Sequence, residues 1–254
     1  MENNVKITSI TIPHHNREVY GTLYEPDGVE RYPIVIFSHG FNGSGTHFTD
    51  HANLLANKGI ASITFDFCGG AATYKGSMKS TEMTIFTEQE DLEAVIEYAV
   101  CMKCVDSRNL FLFGASQGGL VTALTASQYK YIPAGVLLLY PALCIPDDWD
   151  KIFPMVTDIP ETCEQWGVKL GRRYFEVIHG FSVYDHIRNY QGPVLVMHGE
   201  KDLVVDIEYS RKLLDVYPDI RLEIFAGEGH GFTKVGDKRV AEMTLDFVDR
   251  LRKE

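Results

Sequence analysis

Residues 110–119 read LFLFGASQGG, an apolar run of strand type followed at once by G-x-S-x-G and a segment of helical character. A serine at such a strand-to-helix turn has a strained backbone, and Gly114 and Gly118 leave the space that the turn needs. The turn exposes the Ser116 hydroxyl and aims the free N–H groups of the helix at the same place. The pattern therefore predicts a nucleophile at Ser116. The alternative is a glycine-rich turn without a chemical role.

A serine hydroxyl needs a base that takes its proton. In folds with this turn, the histidine base comes last in the chain order Ser, Asp or Glu, His. The segment GEGHGF at 227–232 follows the last predicted strand, and His230 is the only histidine after His198. Its flanking glycines allow the loop to bend the imidazole toward Ser116. His230 is the predicted base, with a lone surface histidine as the alternative.

The carboxylate that orients the base is expected in the loop after the preceding strand. VLVM at 194–197 is that strand, and Asp202 lies in the loop beyond it. A carboxylate there can hold the imidazole in one tautomer and stabilise the imidazolium that forms. Asp202 completes the predicted triad, and Glu200 and Asp206 are nearby alternatives.

Two backbone N–H groups are expected to bind the oxyanion of the intermediate. One comes from the residue after the nucleophile, here Gln117, and the second from the loop after an early strand. HGFNG at 39–43 follows the apolar run PIVIF at 33–37, and Phe41 is the predicted donor in this loop. His39 is interpreted as a structural support of the loop and not as a catalytic group.

Apolar runs and amphipathic segments alternate along the chain. Residues 5–12 and 18–24 alternate with the strand period and are predicted to pair as a hairpin. Further on, Thr87 and Glu90 predict a capping box at the start of a helix. Strands that alternate with helices indicate an α/β fold, with a mostly parallel central sheet and helices on both faces. Residues 1–254 are predicted to form a single domain.

Residues 143–186 interrupt this alternation. The segment contains three prolines, the acidic run DDWD and a second tryptophan. It is too long for an ordinary connection, and its aromatic residues argue against disorder. We therefore predict a small cap insertion over the active site.

The charge balance narrows the choice of partners. The formal net charge is -11, with both signs interspersed along the chain. Nucleic-acid and anionic-membrane surfaces need a basic patch, so neither partner is expected. No apolar run reaches the roughly 18 residues of a membrane helix, and the first ten residues lack the pattern of a signal peptide.

Five cysteines without regular spacing are typical of a reducing compartment, which predicts a cytoplasmic location. Cys101 and Cys104 form a C-x-x-C, but no second pair or paired histidines accompany it. We interpret the two residues as helix-end or core thiols and expect no metal or redox site.

The motifs together resemble the α/β-hydrolase superfamily over essentially the whole chain, and more narrowly the bacterial cinnamoyl and feruloyl esterases. The shared features are the cap length and the segments HGF at 39–41, FDF at 65–67, SQGG at 116–119 and LGRRY at 170–174. The resemblance implies hydrolysis of hydroxycinnamic esters, with a cap that grips the phenolic ring. CGG at 68–70 and Ala115 depart from the family pattern, which leaves the acyl specificity open.

The resemblance also implies two substrate-binding residues. Asp148 and Tyr174 match the cap aspartate and cap tyrosine of that family, which would hydrogen-bond the ring hydroxyl. The residues alone leave alternatives open. Asp148 is equally a solvated acidic turn beside Asp147 and Asp150, and Tyr174 is equally a packed residue of the cap.

The predicted reaction is hydrolysis of a small-molecule ester through an acyl-enzyme on Ser116, with no metal and no organic cofactor. An acyl-peptidase is a rival, although 254 residues leave no room for the propeller of such peptidases. A thioesterase or lipase is disfavoured by the short cap. A non-catalytic binding protein of the same fold is a further alternative, but no triad residue is missing. A homodimer is expected from family analogy alone.

Overall fold

A computed structural model of the protein describes residues 5–128 and 133–253. Residues 1–4 lie outside the described residues. They belong to the first ten residues, which by sequence lack the pattern of a signal peptide. The strands are β1 (Val5–His14), β2 (Arg17–Pro26), β3 (Tyr32–Ser38), β4 (Ala61–Asp66), β5 (Val105–Ala115), β6 (Gly135–Leu139), β7 (Thr162–Gln165), β8 (Val168–Gly171), β9 (Val194–Gly199) and β10 (Ile220–Phe225). The helices are α1 (Thr49–Ala56), α2 (Ile85–Cys101), α3 (Gln117–Gln128), α4 (Ile145–Ile152), α5 (Arg172–Glu176), α6 (Val183–Ile187), α7 (Ile207–Arg211) and α8 (Lys234–Leu251).

Eight of the strands form one sheet in the order β1-β2-β4-β3-β5-β6-β9-β10. β1 pairs antiparallel with β2, as predicted for a hairpin, and β2 pairs antiparallel with β4. The remaining pairings in this sheet are parallel. Parallel strands end at the same edge of a sheet, so the loops that follow them meet there. The predicted α/β fold with a mostly parallel sheet is confirmed.

The sheet buries both of its faces. On β3, Ile34 and Ile36 belong to the core layer that includes α2 and α3, whereas Val35 and Phe37 belong to the layer with α1 and α8. This division follows from the strand period, because successive side chains point to opposite faces. Helices therefore cover both faces of the sheet. Within the described residues, no helix has the length and apolar character needed to cross a membrane.

The N-cap of helix α2 lies three residues earlier than the predicted cap. Thr84 is the N-cap: its Oγ1 accepts from the Thr87 N–H at 3.0 Å, and its own N–H donates to Thr87 Oγ1 at 2.8 Å. The prediction of a Thr87–Glu90 capping box is therefore wrong. Thr87 is the third helical residue of the box, and the Glu90 carboxylate accepts instead from Arg17 Nη2 at 2.9 Å.

The segment between β6 and β9 includes the residues for which a cap is predicted. It contains α4, the antiparallel hairpin of β7 and β8, α5 and α6. Aromatic contacts hold the first and later parts together: the ring of Phe175 lies 4.6 Å from that of Trp149 and 5.4 Å from that of Phe153, centroid to centroid. Aromatic pairs at such distances stabilise beyond their buried area.

The two cysteines of the C-x-x-C lie at the end of α2. Cys101 is its last residue and is exposed, and Cys104 is half-buried; both are free thiols. Cys104 Sγ accepts from the Tyr32 hydroxyl at 2.9 Å. This position agrees with the interpretation as helix-end thiols.

Candidate active site

Ser116 lies between the last residue of β5 and the first residue of α3, with φ of 53°. This left-handed conformation is strained for a residue with a side chain, so the surroundings must hold it. The Ser116 N–H donates to the Leu139 carbonyl at 2.9 Å, and the Ser116 carbonyl accepts from Gly119 and Ala142, both at 2.9 Å. Backbone hydrogen bonds on both sides thus fix the turn that presents the Ser116 hydroxyl.

Close backbone approach explains the glycines around Ser116. A Cβ on Gly114 would lie 2.3 Å from the Gly118 carbonyl oxygen, and a Cβ on Gly118 would lie 2.3 Å from the His39 carbonyl oxygen. A Cβ on Gly40 would lie 3.0 Å from Ser116 Cβ, so the HGF loop packs directly against the serine. The turn can therefore form only where these side chains are absent.

We expect Gly114→Ala to lower the free energy of unfolding by about 1–3 kcal/mol, the usual cost of overpacking a filled interior. The added methyl group would meet the backbone of Gly118 and could be accommodated only by moving the turn, so kcat should fall as well. Urea unfolding followed by circular dichroism measures the first effect. An unchanged midpoint and an unchanged kcat would show that the turn does not depend on this contact.

His230 faces the serine. Its Nε2 lies 3.0 Å from Ser116 Oγ, although the two residues are far apart in sequence. The loop after β10 turns at Gly227 and Gly231, whose φ values of 79° and 80° lie in the left-handed region that favours glycine. The ring of Tyr140 packs against the imidazole, with a centroid distance of 4.5 Å. The imidazole thus has a fixed position beside the hydroxyl.

Asp202 holds the other side of the imidazole. Its Oδ2 lies 2.8 Å from His230 Nδ1, and its Oδ1 accepts from the N–H groups of Val204 and Val205, both at 2.9 Å. Burial of the carboxyl would raise the pKa of Asp202, but hydrogen bonds from His198, His230 and these N–H groups hold that pKa well below its ordinary value. An ionised carboxylate only accepts, so Nδ1 of His230 carries the proton and Nε2 is free to accept from Ser116.

The rival carboxylates have other partners. Glu200 Oε2 accepts from the Gly227 N–H at 3.1 Å, and Asp206 Oδ1 accepts from the Glu208 N–H at 3.0 Å as the N-cap of α7. Both stabilise backbone near the site. Among the three candidates, it is Asp202 that contacts His230.

The HGF loop is braced by His39. His39 Nε2 accepts from the Phe67 N–H at 3.0 Å, so the ring proton is on Nδ1, which lies 2.7 Å from the Gly40 carbonyl oxygen. Burial lowers the pKa of His39 to about 4, which keeps the ring neutral. The imidazole therefore ties this loop to the end of β4 and supports the backbone on which Phe41 lies.

Gln117, the other predicted oxyanion donor, is the first residue of α3, where backbone N–H groups have no partner within the helix. Its buried side chain is held at both ends. Gln117 Nε2 donates to Glu88 Oε2 at 2.8 Å, and Gln117 Oε1 accepts from the Tyr174 hydroxyl at 2.8 Å. The residue that is predicted to provide this N–H is thereby connected to α2 on one side and to the segment over the site on the other.

A pocket of about 300 Å³ opens beside Ser116 and Gln117. The HGF loop closes one side, where the ring of Phe41 lies 5.8 Å from that of Trp166, centroid to centroid. The residues of the segment over the site that line the pocket are mostly apolar or aromatic and include Ile145, Trp149, Ile152, Trp166 and Leu170. Such a lining favours a ligand with an aromatic or small apolar group.

Asp148 and Tyr174 both line this pocket. Asp148 is half-exposed and its Oδ1 accepts from Lys151 Nζ at 2.9 Å, so one oxygen of its carboxylate is engaged at the surface. Tyr174 is buried, and its hydroxyl proton goes to Gln117, which leaves its oxygen as an acceptor. The structure places both residues where a ligand could reach them, with Tyr174 already part of an internal hydrogen-bond chain.

Within the described parts of the chain, one group of side chains has the spacing of a metal site. Ligand atoms of His14, His15 and Glu90 lie within 4.8 Å of one another. The Glu90 carboxylate is already bound by Arg17, and none of the three residues lines the pocket of Ser116. The chemistry of Ser116 is therefore assembled from other residues.

The sequence prediction did not include three of the residues around the triad: Glu88, Tyr140 and His198. Glu88 had a detectable signal, since it lies four residues before Leu92 and seven before Val95 and so shares the buried face of α2. A carboxylic acid at an apolar position is unusual. The contacts of Tyr140 and His198 depend on loops that meet only in the folded chain.

The profile of the prolyl oligopeptidase family matches residues 46–254. A putative carboxymethylenebutenolidase of Synechocystis sp. is 30% identical over 135 residues, which cover 49% of this chain and 55% of the relative, about half of its length. The putative esterase YitV of Bacillus subtilis is 28% identical over 72% of this chain and 73% of its own.

The fold also matches a solved structure. Est1E from Butyrivibrio proteoclasticus, in a structure with ferulic acid bound, is 26% identical and superposes with a TM-score of 0.86 over 95% of this chain and 98% of that one. The resemblance to an esterase of this fold is thereby confirmed. The chain belongs to the prolyl oligopeptidase family and has the α/β-hydrolase fold.

Proposed function

We propose that the protein hydrolyses carboxylic esters through an acyl-enzyme on Ser116. The observation that carries the proposal is the continuous hydrogen-bonded line from Ser116 Oγ to His230 Nε2 at 3.0 Å and from His230 Nδ1 to Asp202 Oδ2 at 2.8 Å. This geometry allows the imidazole to take the serine proton while the carboxylate holds its tautomer. The line ends at a pocket large enough for a small ligand.

In the proposed reaction, His230 removes the Ser116 proton as Oγ attacks the ester carbonyl. Backbone N–H groups of Phe41 and Gln117 bind the oxyanion of the tetrahedral intermediate. The protonated His230 then gives its proton to the leaving alcohol, and the acyl group stays on Ser116. A water molecule repeats the sequence. His230 takes the water proton as the water oxygen attacks the acyl carbonyl, the bond from the acyl carbon to Ser116 Oγ breaks, and His230 returns the proton to Oγ as the free acid leaves.

We propose further that the acyl group is small or aromatic, of the cinnamoyl type. The pocket volume of about 300 Å³ lies at the lower end of the usual range for small-molecule sites, which disfavours long acyl chains. Aromatic side chains line its walls, and Est1E, whose structure holds ferulic acid, supports the same class of acid. Asp148 and Tyr174 would face the polar end of such a ring.

Asp148→Asn is expected to lower kcat/KM for methyl ferulate about tenfold relative to methyl cinnamate, which has no ring hydroxyl. The expected size is that of one hydrogen bond to a charged group. Asp147→Asn is the matched control, because the Asp147 carboxylate accepts from Tyr209 and does not line the pocket. An equal change for both esters would exclude Asp148 from recognition of the ring hydroxyl.

The proposed function as a whole is tested with p-nitrophenyl esters of increasing acyl length, methyl ferulate and a fluorophosphonate probe. We expect turnover of short and aromatic esters and covalent labelling of Ser116. Labelling without ester cleavage would show that Ser116 is activated but would refute the esterase proposal. Neither labelling nor cleavage would favour a binding protein of the same fold.

An acyl-peptidase is the second candidate, favoured by the match to the prolyl oligopeptidase family. Its chemistry would use the same residues, with an amine instead of an alcohol as the leaving group. The p-nitroanilides of acetylated amino acids distinguish the two candidates. A kcat/KM for an anilide that equals or exceeds that for the matching ester would favour the peptidase.

A further inference from the structure

Glu88 is a buried carboxylic acid next to the strand-to-helix turn at Ser116. It lies in the first turn of α2 and is only 1% exposed. Among the described residues, no cation forms an ion pair with it; its Oε2 accepts from the side-chain amide of Gln117 at 2.8 Å. Burying a carboxyl group without a cation is costly. The position therefore calls for an explanation beyond packing.

The partner of Glu88 is the residue next to the nucleophile. Gln117 Nε2 donates to Glu88, and Gln117 Oε1 accepts from Tyr174, so the amide is clamped from two elements. A loop closes over the other side of the acid, since a Cβ on Gly70 would lie 2.3 Å from Glu88 Oε1. With both ends of its side chain held, the backbone of Gln117 has little freedom to move.

We propose that Glu88 is a positioning residue that acts through Gln117: its carboxyl group holds the Gln117 backbone N–H in the oxyanion hole and links that N–H to Tyr174 in the substrate pocket. The inference rests on the proposed ester hydrolysis and deepens it. Glu88 contacts no substrate atom; its effect reaches the reaction through one side chain. Preorganised donors of this kind lose their effect when they are free to move.

The protonation state of Glu88 gives the proposal a distinct signature. Burial raises the pKa of Glu88 to about 8, the hydrogen bond from Gln117 opposes this, and the nearby Asp91 carboxylate adds to it. Glu88 is therefore mainly neutral at pH 7. Above pH 8 it becomes a second negative charge behind the site where the oxyanion forms, and like charges repel. The kcat should therefore fall as the pH rises through about 8.

The neighbouring groups do not titrate in that range. Burial raises the pKa of Asp91 to about 6, opposed by Arg17, which pairs with it, and burial raises that of Cys68 to about 12. Burial also raises the pKa values of Tyr174 and Cys144 above their ordinary values, so both stay neutral at pH 9. Among the groups named around the hydrogen bonds from Glu88 through Gln117 to Tyr174, Glu88 is the one that ionises near pH 8.

The decisive experiment compares Glu88→Gln with the wild type in kcat for p-nitrophenyl acetate from pH 6 to 9.5, after subtraction of spontaneous hydrolysis. The wild type should lose about tenfold in kcat relative to Glu88→Gln as the pH rises through about 8, because the glutamine keeps an acceptor but cannot ionise. Glu90→Gln is the matched control on the exposed side of α2 and should follow the wild type. A flat wild-type profile, or a fall that persists in Glu88→Gln, overturns the proposal.

Glu88→Leu tests the contact itself. Loss of the clamp should lower kcat about 30-fold at pH 7, less than the full loss of an oxyanion donor, with KM changed by less than about threefold. A wild-type kcat in this variant overturns the proposal; if the variant does not fold, the Glu88→Gln profile decides alone.

Fluorophosphonate labelling rates over the same pH range separate the two proposals. A wild type that labels but cleaves no ester refutes the proposed function while still testing Glu88, and one that does neither refutes both.

Discussion

Ser116→Ala is expected to lower kcat for every cleaved ester by about 10⁵- to 10⁶-fold, to a rate set by the oxyanion hole and substrate binding alone. The physical reason is that the acyl-enzyme cannot form without Oγ, and the only route left is direct attack by water. The pocket walls are unchanged, so the variant should still bind the product acid. Steady-state kinetics at high enzyme concentration and calorimetry with ferulic acid measure the two effects.

The control for this variant is Ser182→Ala, which removes a hydroxyl that donates to Asp185 at 2.6 Å on α6. It should keep wild-type kinetics. If Ser116→Ala retained more than about 1% of kcat while folded, the nucleophile would have to be another group, and the proposed mechanism would be refuted.

Asp202→Asn is expected to lower kcat by about 10⁴-fold with little change in KM. The N–H groups of Val204 and Val205 both donate to Oδ1, so the amide oxygen of the asparagine must take that place. The amide NH₂ group then faces His230 Nδ1 and can only donate. His230 is forced to carry its proton on Nε2, where it cannot accept from Ser116.

A matched variant checks this explanation. Glu200→Gln removes one charge two residues away but keeps the acceptor for Gly227, so its kcat should stay near that of the wild type. A loss in Glu200→Gln as large as that in Asp202→Asn would mean that net negative charge near His230 is what matters, and not the tautomer.

Local sequence was sufficient to predict the strand-to-helix turn at Ser116 and the order of the triad residues along the chain. The turn leaves no space for side chains at Gly114 and Gly118. Residues adjacent in the sequence are therefore enough to predict it. Parallel strands deliver their following loops to one edge, so chain order predicted that Ser116, Asp202 and His230 would meet there. The structure brings all three within hydrogen-bond distance. The mostly parallel central sheet follows from the same alternation of strands and helices.

The start of α2 shows where local patterns mislead. By sequence, Thr87 is the predicted cap because Glu90 follows at capping-box spacing. The observed box uses two threonine hydroxyls, which the spacing rule does not favour. Glu90 pairs with Arg17, a residue of the hairpin far away in sequence, and a pattern within one helix cannot anticipate such a partner.

The sequence by itself therefore predicted the fold class and which serine, histidine and aspartate come together, because each prediction depends on residues close in the chain or on strand order. Only the tertiary structure showed the chain from Glu88 through Gln117 to Tyr174 and the contact of His198 with Asp202. The protonation state of a carboxyl group depends on how deeply the whole fold buries it and on which dipoles face it. Those quantities arise from distant segments that pack together, and no local pattern records them.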